Sequence, residues 1–417
     1  MKTGGKTWLT PKRLRAHGLL FAVALWGVYV WTIATPGLRD RNGNLKGTDF
    51  LHFYVLGALA AEHRGSDLYD MNAQAALAAE RVPEAAGIRY LPLYPPQVSV
   101  FFAPLASLPY KNALILWWIC SAALYGFCCY RIWRACPNLN DYGGSVALLA
   151  VASPAFFNLI VWGQTSAIAL ACFTLLYLLL HERREFIAGL ALGLVVFKPQ
   201  LGLAAAIVFM AAGAWRILAG AAVSSAAQLS VGVLYYGMES LRRWVVMLQN
   251  VRALLPWLEP KPYQTHCLRT FWSMIVPWPE LSFALYATSA AVILIVTTRL
   301  WRRGRQAPLA LRFSALLLAT VLVAPHLTVY DLTVLAPAIL LLSDWLAGQQ
   351  PTREVRWAGT LLYLVYALPL LGIVARYAHV QLSVLAMTGL VFVIASLSTA
   401  ATKQCAVTNS ATAIANL

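Results

Sequence analysis

A helical, polytopic membrane protein is the fold class this sequence predicts, and three observations carry the prediction. Of 417 residues, 60% are apolar, enough to line about twelve membrane crossings of about 20 residues each. Only 12% are charged, about half the share of an ordinary soluble domain. The apolar residues also gather in long runs, whereas the strands of an outer-membrane barrel would alternate apolar and polar positions over about ten residues. A soluble enzyme, a disordered chain and a collagen-like fibre are excluded.

Each element then follows from an apolar run and the charges that flank it. Residues 1–16, with Lys2, Lys6, Lys12, Arg13 and Arg15, form a cytoplasmic N-terminus ahead of a first crossing at 18–34. This start is similar to a signal peptide, but no A-x-A site follows, so an uncleaved helix is expected. Residues 37–110 make a first outer segment too long for a mere connector. Crossings at 112–130, 145–162 and 165–180 follow, with Gly163-Gln164-Thr165 as a tight outer turn between the last two. Residues 187–214 are apolar except at Lys198-Pro199-Gln200, where a proline does not sit in a continuous helix. Two short helices meeting at an outward-facing break are expected there. A crossing at 217–236 leads to a second large outer loop, 237–280, and 281–298 returns to Arg299, Arg302, Arg303 and Arg305, as the positive-inside rule expects. A crossing ending at Ala324, another starting after Asp331, and spans at 357–375 and 380–398 bring the count to about twelve segments, ten at the fewest. Residues 399–417 are left as a cytoplasmic tail. With no internal repeat, residues 1–417 read as one integral-membrane domain.

The net charge, 32 basic minus 16 acidic residues or +16, would point to nucleic acid in a soluble protein. In a helical membrane protein it marks cytoplasmic loops, and no nucleic-acid partner is expected. The seven cysteines (Cys120, Cys128, Cys129, Cys136, Cys172, Cys267, Cys405) are odd in number and lack metal-ligand spacing. They read as small core residues, and no protein metal site is expected.

Placing the loops by charge alone puts Asp49, Tyr94-Pro95-Pro96, Gln164, Lys198, His326 and Asp331 on one, outer, face. Ionisable groups at membrane depth are costly and mark a substrate path, so a cavity open to the outside is expected. Asp49 opens an amphipathic stretch to Arg64, with His52, Phe53 and Leu56 on its face. A carboxylate at a helix N-terminus is stabilised as the anion, and it suits a general base only where burial raises its pKa again; a plain N-cap reading stands beside this one. Lys198 needs an anionic partner, for which a phosphate is suited, unless it snorkels to the interface. Gln164 reads as a helix cap or a sugar ligand. His326 and Asp331 are placed to meet across a turn at the cavity mouth, and as a metal pair they are weak. Trp257, Trp272, Trp278, Tyr54, Tyr69 and Tyr94 suit an interfacial belt. No G-x-G-x-x-G, P-loop, G-x-S-x-G or H-E-x-x-H occurs, so a soluble nucleotide sugar is not the expected donor. A sugar carried on lipid phosphate reaches an outer cavity from within the bilayer, and outer-loop arginines, Arg39 and Arg89 among them, would help to hold its phosphate.

In order along the chain stand Thr48-Asp49-Phe50, Gly65 with Leu68-Tyr69-Asp70, Tyr94-Pro95-Pro96, Ala103 to Tyr110, Gly163-Gln164, Ala188-Gly189-Leu190, Phe197 to Leu201, Trp215-Arg216, and Ala324-Pro325-His326 through Tyr330-Asp331-Leu332. This succession resembles glycosyltransferase family 87 over about residues 18–346. The resemblance implies a GT-C architecture, a catalytic aspartate in the first outer loop, matched by Asp49, and a polyprenyl-phosphate sugar as donor. The characterised branch, mycobacterial polyprenyl-phosphomannose-dependent mannosyltransferases, extends glycolipids with inversion at the sugar. This sequence departs from it at His52-Phe53-Tyr54 and in the His326 to Asp331 turn, which leaves the sugar, mannose or another hexose or pentose, and the lipid or glycan acceptor open.

The expectation is a multi-pass protein of the bacterial inner membrane with its site facing the periplasm. Asp49 would be the general base, with Lys198, Arg39 and Arg89 at the donor phosphate. His52, Tyr54, Tyr94, Gln164, Gln200, His326, Tyr330 and Asp331 would surround the sugar and acceptor. No cofactor is required; a divalent cation is compatible with this chemistry but not demanded by it. The competing reading is a transporter or flippase, or a non-catalytic binder, of lipid-linked sugars, which a broken helix with a lysine at depth also fits.

Overall fold

The computed structural model describes residues 10–415 apart from 252, 255–257, 260 and 304–305, and side chains to residue 399. Lys2, Lys6, Arg252, Trp257, Arg305 and the side chain of Cys405 lie outside the described residues.

Helices dominate, and no strand occurs among the described residues beyond two isolated bridges, Arg39 with Leu45 and Thr265 with Thr328. The first helix, α1 (Pro11–Ile33), begins well before the apolar run, because Thr10 caps it by accepting the Arg13 N–H at 3.3 Å and Pro11 fills its first position. Residues 37–110, expected as an outer segment, fold into α2 (Thr48–Ala61), α3 (Met71–Arg81) and α4 (Gln97–Ala106), with α2 packed on α4. Then come α5 (Tyr110–Trp133), α6 (Gly143–Val151), α7 (Pro154–Trp162), α8 (Ser166–His181) and α9 (Glu185–Gly193). After α9 a 3-10 turn, Leu194–Phe197, leads through Lys198 into α10 (Pro199–Ala211), followed by α11 (Trp215–Tyr236). The second outer loop holds α12 (Met238–Gln249) and α13 (Leu268–Ile275). The rest comprises α14 (Pro279–Arg302), α15 (Leu309–Val323), a 3-10 stretch Val329–Leu335 running into α16 (Ala336–Ala347), α17 (Arg353–Ala367), α18 (Gly372–Ala378) and α19 (Leu382–Ala415). Where a short tail was expected after residue 398, α19 continues.

Every apolar segment expected from the sequence holds a helix, yet only some have the length of a crossing. Among the described residues seven stretches are long and apolar enough, and the pair Pro137–Val151 with Pro154–Trp162, bent by 45°, would make an eighth. Of the ten to twelve segments expected, some of them short, seven or eight thus have the length of a full crossing among the described residues. The helices Ser166–His181, Glu185–Phe197, Pro199–Ala211 and Leu309–Val323 have 10–17 residues, at most about 26 Å, short of a hydrocarbon core of about 30 Å. The reason is local: α8 begins, and α9 and α10 meet, at a buried polar cluster instead of running on.

One crossing fixes where that cluster lies. Helices α9 and α11 touch through Gly189 and Gly220; a Cβ on Gly189 would come within 2.1 Å of the Ile217 carbonyl oxygen, and one on Gly220 within 2.1 Å of the Phe186 carbonyl oxygen. Small residues let membrane helices approach backbone to backbone. The helix leading to Lys198 is thus held flat against its neighbour.

Candidate functional site

The site forms where the turn between α7 and α8 meets the start of α2. Gly163 ends α7 in the left-handed region, φ 72°, which glycine adopts without steric cost. A Cβ there would lie 2.7 Å from Phe50 Cβ, and the Trp117 indole N–H donates to the Gly163 carbonyl at 2.9 Å. Only glycine lets this turn press against the first turn of α2. Gln164, the next residue, then donates from Nε2 to Asp49 Oδ2 at 2.7 Å. The Tyr90 hydroxyl donates to the Thr48 carbonyl, closing the same helix end from the other side.

Lys198 enters from the break between α9 and α10. A residue before proline is driven from the helical to the extended region, and Lys198 has φ −130° and ψ 71°. Its Nζ donates to Asp331 Oδ1 at 2.7 Å, Ser166 Oγ at 3.2 Å and Gln164 Oε1 at 3.3 Å. Ser166 Oγ in turn donates to Asp331 Oδ1. Thr328 Oγ1 reaches Asp331 Oδ2 at 3.5 Å, and the Tyr94 hydroxyl donates to Gln164 Oε1 at 3.4 Å. The ammonium lies 5.2 Å from the centre of the Tyr330 ring. Lys198 and Asp331 are each 3% exposed, whereas Asp49 is only half-buried. Burial pushes the Asp49 carboxyl up to about 6, against the lowering effect of Gln164 and Lys198.

Of the residues singled out from the sequence, Asp49, Tyr94, Gln164, Lys198, Tyr330 and Asp331 are brought together, and the others are not. His326 does not meet Asp331, whose oxygens are taken by Lys198, Ser166 and Thr328. Its Nδ1 lies 2.7 Å from Glu259 Oε1, and Arg269 also bonds Glu259 and the Pro325 carbonyl. Burial would raise the Glu259 carboxyl, but His326 and Arg269 outweigh it and hold the group below its usual value. His52 turns inward, 4% exposed, with its ring centre 5.0 Å from that of Tyr90 and 5.7 Å from that of Tyr94. Burial pushes it down to about 3, so the ring is neutral. Tyr54 spends its hydroxyl on the Leu108 carbonyl at 2.8 Å, and Arg39 pins the Gly43 and Glu84 carbonyls. Gln200, in the first turn of α10, and the exposed Arg89 stand outside the bonded cluster.

An ammonium has three donors, and in this structure Asp331, Ser166 and Gln164 accept from Lys198. Sequence reasoning missed Ser166, Thr328, Tyr90 and Glu259. Only Ser166 had a signal, its place two residues after Gln164.

A cavity of about 650 Å³ with mostly apolar walls, among them Leu14, Tyr125, Leu149, Leu340 and Tyr363, lies between α1, α5, α6, α16 and α17, with Leu332 and Thr333 also in its wall; Asp49, Gln164, Lys198 and Asp331 do not line it.

The chain is thus a multi-pass helical body in which a buried lysine is paired with Asp331 and linked through Gln164 to Asp49. The family model of glycosyltransferase family 87 matches residues 93–325, more than half of the chain, and the chain belongs to that family; it is a membrane glycosyltransferase. The matched stretch holds Tyr94, Gln164, Ser166 and Lys198, while Asp49 and Asp331 lie on either side of it. No curated protein and no solved structure matches the chain.

Proposed function

We propose that the protein moves a sugar from a polyprenyl-phosphate donor to a lipid or glycan acceptor, with inversion, at the periplasmic side of a bacterial inner membrane. The observation that carries this reading is the Asp49 carboxylate: half-buried, held by the neutral amide of Gln164 at 2.7 Å, and raised by burial to about 6. A base with a pKa near the working pH combines ionisation with useful basicity.

Asp49 takes the proton of an acceptor hydroxyl as that oxygen bonds to the anomeric carbon. The bond from that carbon to the phosphate oxygen breaks, and polyprenyl phosphate leaves from the opposite face. A phosphate monoester is an adequate leaving group without a proton, so a second carboxylic acid is not needed. Asp49 and Asp331 outnumber Lys198, and such a cluster repels a phosphate. The positive charge for the leaving group is therefore assigned to an arginine outside the cluster, the exposed Arg89, an electrostatic contribution of the kind that often dominates. The sugar and acceptor lie against Tyr94 and Tyr330.

The test is sugar transfer by purified protein in nanodiscs, offered short-chain polyprenyl-phosphate mannose, glucose and arabinose with membrane lipid extract as acceptor, beside Asp49→Asn. Transfer lost in the variant while it still binds donor supports the reading. Equal transfer by both proteins removes Asp49 as base, and lipid-linked sugar flux across sealed vesicles without transfer would favour a flippase.

A further inference from the structure

The three bonds of Lys198 have a consequence for Asp49, which they do not touch. Gln164 has two different ends, a carbonyl and an NH2 group, and its neighbours on the two sides are not interchangeable. On one side lies an ammonium, which only donates; on the other lies a carboxylate, which when ionised only accepts. One orientation satisfies both: Oε1 toward Lys198 at 3.3 Å and Nε2 toward Asp49 Oδ2 at 2.7 Å. The Thr165 N–H, which can only donate, selects the same orientation by bonding Oε1 at 3.3 Å, and the Tyr94 hydroxyl at 3.4 Å is compatible with it. Lys198 is itself held by Asp331 and Ser166.

We infer that Lys198, clamped by Asp331 and Ser166, is a positioning residue that locks the Gln164 amide and through it aims Asp49, rather than a ligand of the donor phosphate. The inference rests on Asp49 being the base proposed above. The chain of contacts draws on four distant pieces: Asp49 in α2, Gln164 and Ser166 at the start of α8, Lys198 between α9 and α10, and Asp331 before α16. Burial fits the assignment, since the clamp is closed off while Asp49 keeps access to the outside. A phosphate reaching Lys198 would have to displace a carboxylate from it.

The charged and titratable groups that face Asp49 are Lys198, Asp331, Tyr330, Tyr94, Tyr90 and Tyr110. Its protonation is read by difference infrared spectroscopy on the whole protein in nanodiscs, the carboxyl band being the one absent in Asp49→Asn. The paired variant Lys198→Met with Asp331→Leu removes both clamp charges together, so no lone charge is buried. It is expected to raise the Asp49 midpoint by about one pH unit, matching Gln164→Leu, and to add nothing when combined with Gln164→Leu, the signature of residues acting in series. The polar pair Lys198→Gln with Asp331→Asn keeps a donor toward Gln164 and is expected to hold the midpoint near the wild-type value; this arm decides the matter if the apolar pair fails to fold. Binding of short-chain polyprenyl phosphate is expected to stay within about twofold throughout.

Three results would overturn the inference: a tenfold loss of polyprenyl-phosphate binding with the Asp49 midpoint unmoved, a full additional shift in the Gln164→Leu background, or a polar pair that shifts as far as Gln164→Leu. Retained transfer in Asp49→Asn would sink the base assignment alone, because the infrared midpoints still report the clamp.

Discussion

Two polar clusters hang on one short turn, Ala324 to Asp331, and they treat their carboxylates in opposite ways. In the cluster around Glu259, two groups, Arg269 and His326, share one carboxylate oxygen and Thr270 bonds the other at 3.2 Å, so the acid is saturated and held below its usual pKa. In the cluster around Lys198, two carboxylates compete for one cation. Asp331 takes it, and Asp49 receives a neutral amide instead. An acid spent on cations ties a loop in place; an acid deprived of one, and half-buried, is left with a raised pKa and a use for its proton. The bridge between Thr265 and Thr328 and the His266 N–H donating to the Leu327 carbonyl at 2.9 Å fit the first role, since they fasten the second outer loop to the same turn.

The contrast is sharpest for the two acids themselves. Asp49→Asn is expected to lower transfer by about 10²–10⁴-fold, while Glu259→Gln lowers it by less than about tenfold. Turnover by the two variants decides it, and the reverse ranking would invert the comparison.

Stability separates the clamp from its single members. Lys198→Met leaves Asp331 buried without its cation and should cost about 3–5 kcal/mol, read from detergent unfolding. The paired variant that also removes Asp331 should recover most of that loss, and an equal loss in both would show that packing rather than charge matters there.

pH gives the third expectation. The base works only when ionised, so kcat/KM should fall about tenfold per unit as pH drops below about 6 and level off above 7. Glu259, held low, stays ionised through that window. An acid limb near 4 would mean that burial does not raise Asp49.

The smallest effect belongs to His52, buried with neither ring nitrogen bonded. Replacing a polar group that lacks a partner by an apolar ring is close to neutral, so His52→Phe should change stability by less than about 1 kcal/mol. A larger loss of transfer than of stability would return His52 to the site.

The helical body was legible because apolar runs and basic flanks are local signals, and the Lys198-Pro199 break followed from the fixed φ of proline. The convergence of Asp49, Gln164, Lys198 and Asp331 was legible too, as a matter of sidedness. The partners within the cluster were not. Lys198 and Asp331 are 133 positions apart, and nothing in the residues near either one says that a carboxylate, rather than a phosphate, answers the lysine. His326 was drawn toward Asp331 by nearness in the chain, while its actual partner, Glu259, lies 67 positions away in a loop without a motif. Which of the other segments are short was hidden for a related reason: hydropathy does not record that a helix stops early at a buried polar group.

The same 133 positions bear on how the chain is made. At about 5–20 residues per second, Lys198 leaves the ribosome roughly 7–27 seconds before its counter-ion. An ammonium alone at membrane depth is costly, so during that interval the newly made segment around the break has reason to wait at the membrane surface. Its insertion then completes late, when the turn bearing Asp331 arrives, and a chain truncated before residue 331 should leave this helix pair open to protease long after the earlier crossings are protected.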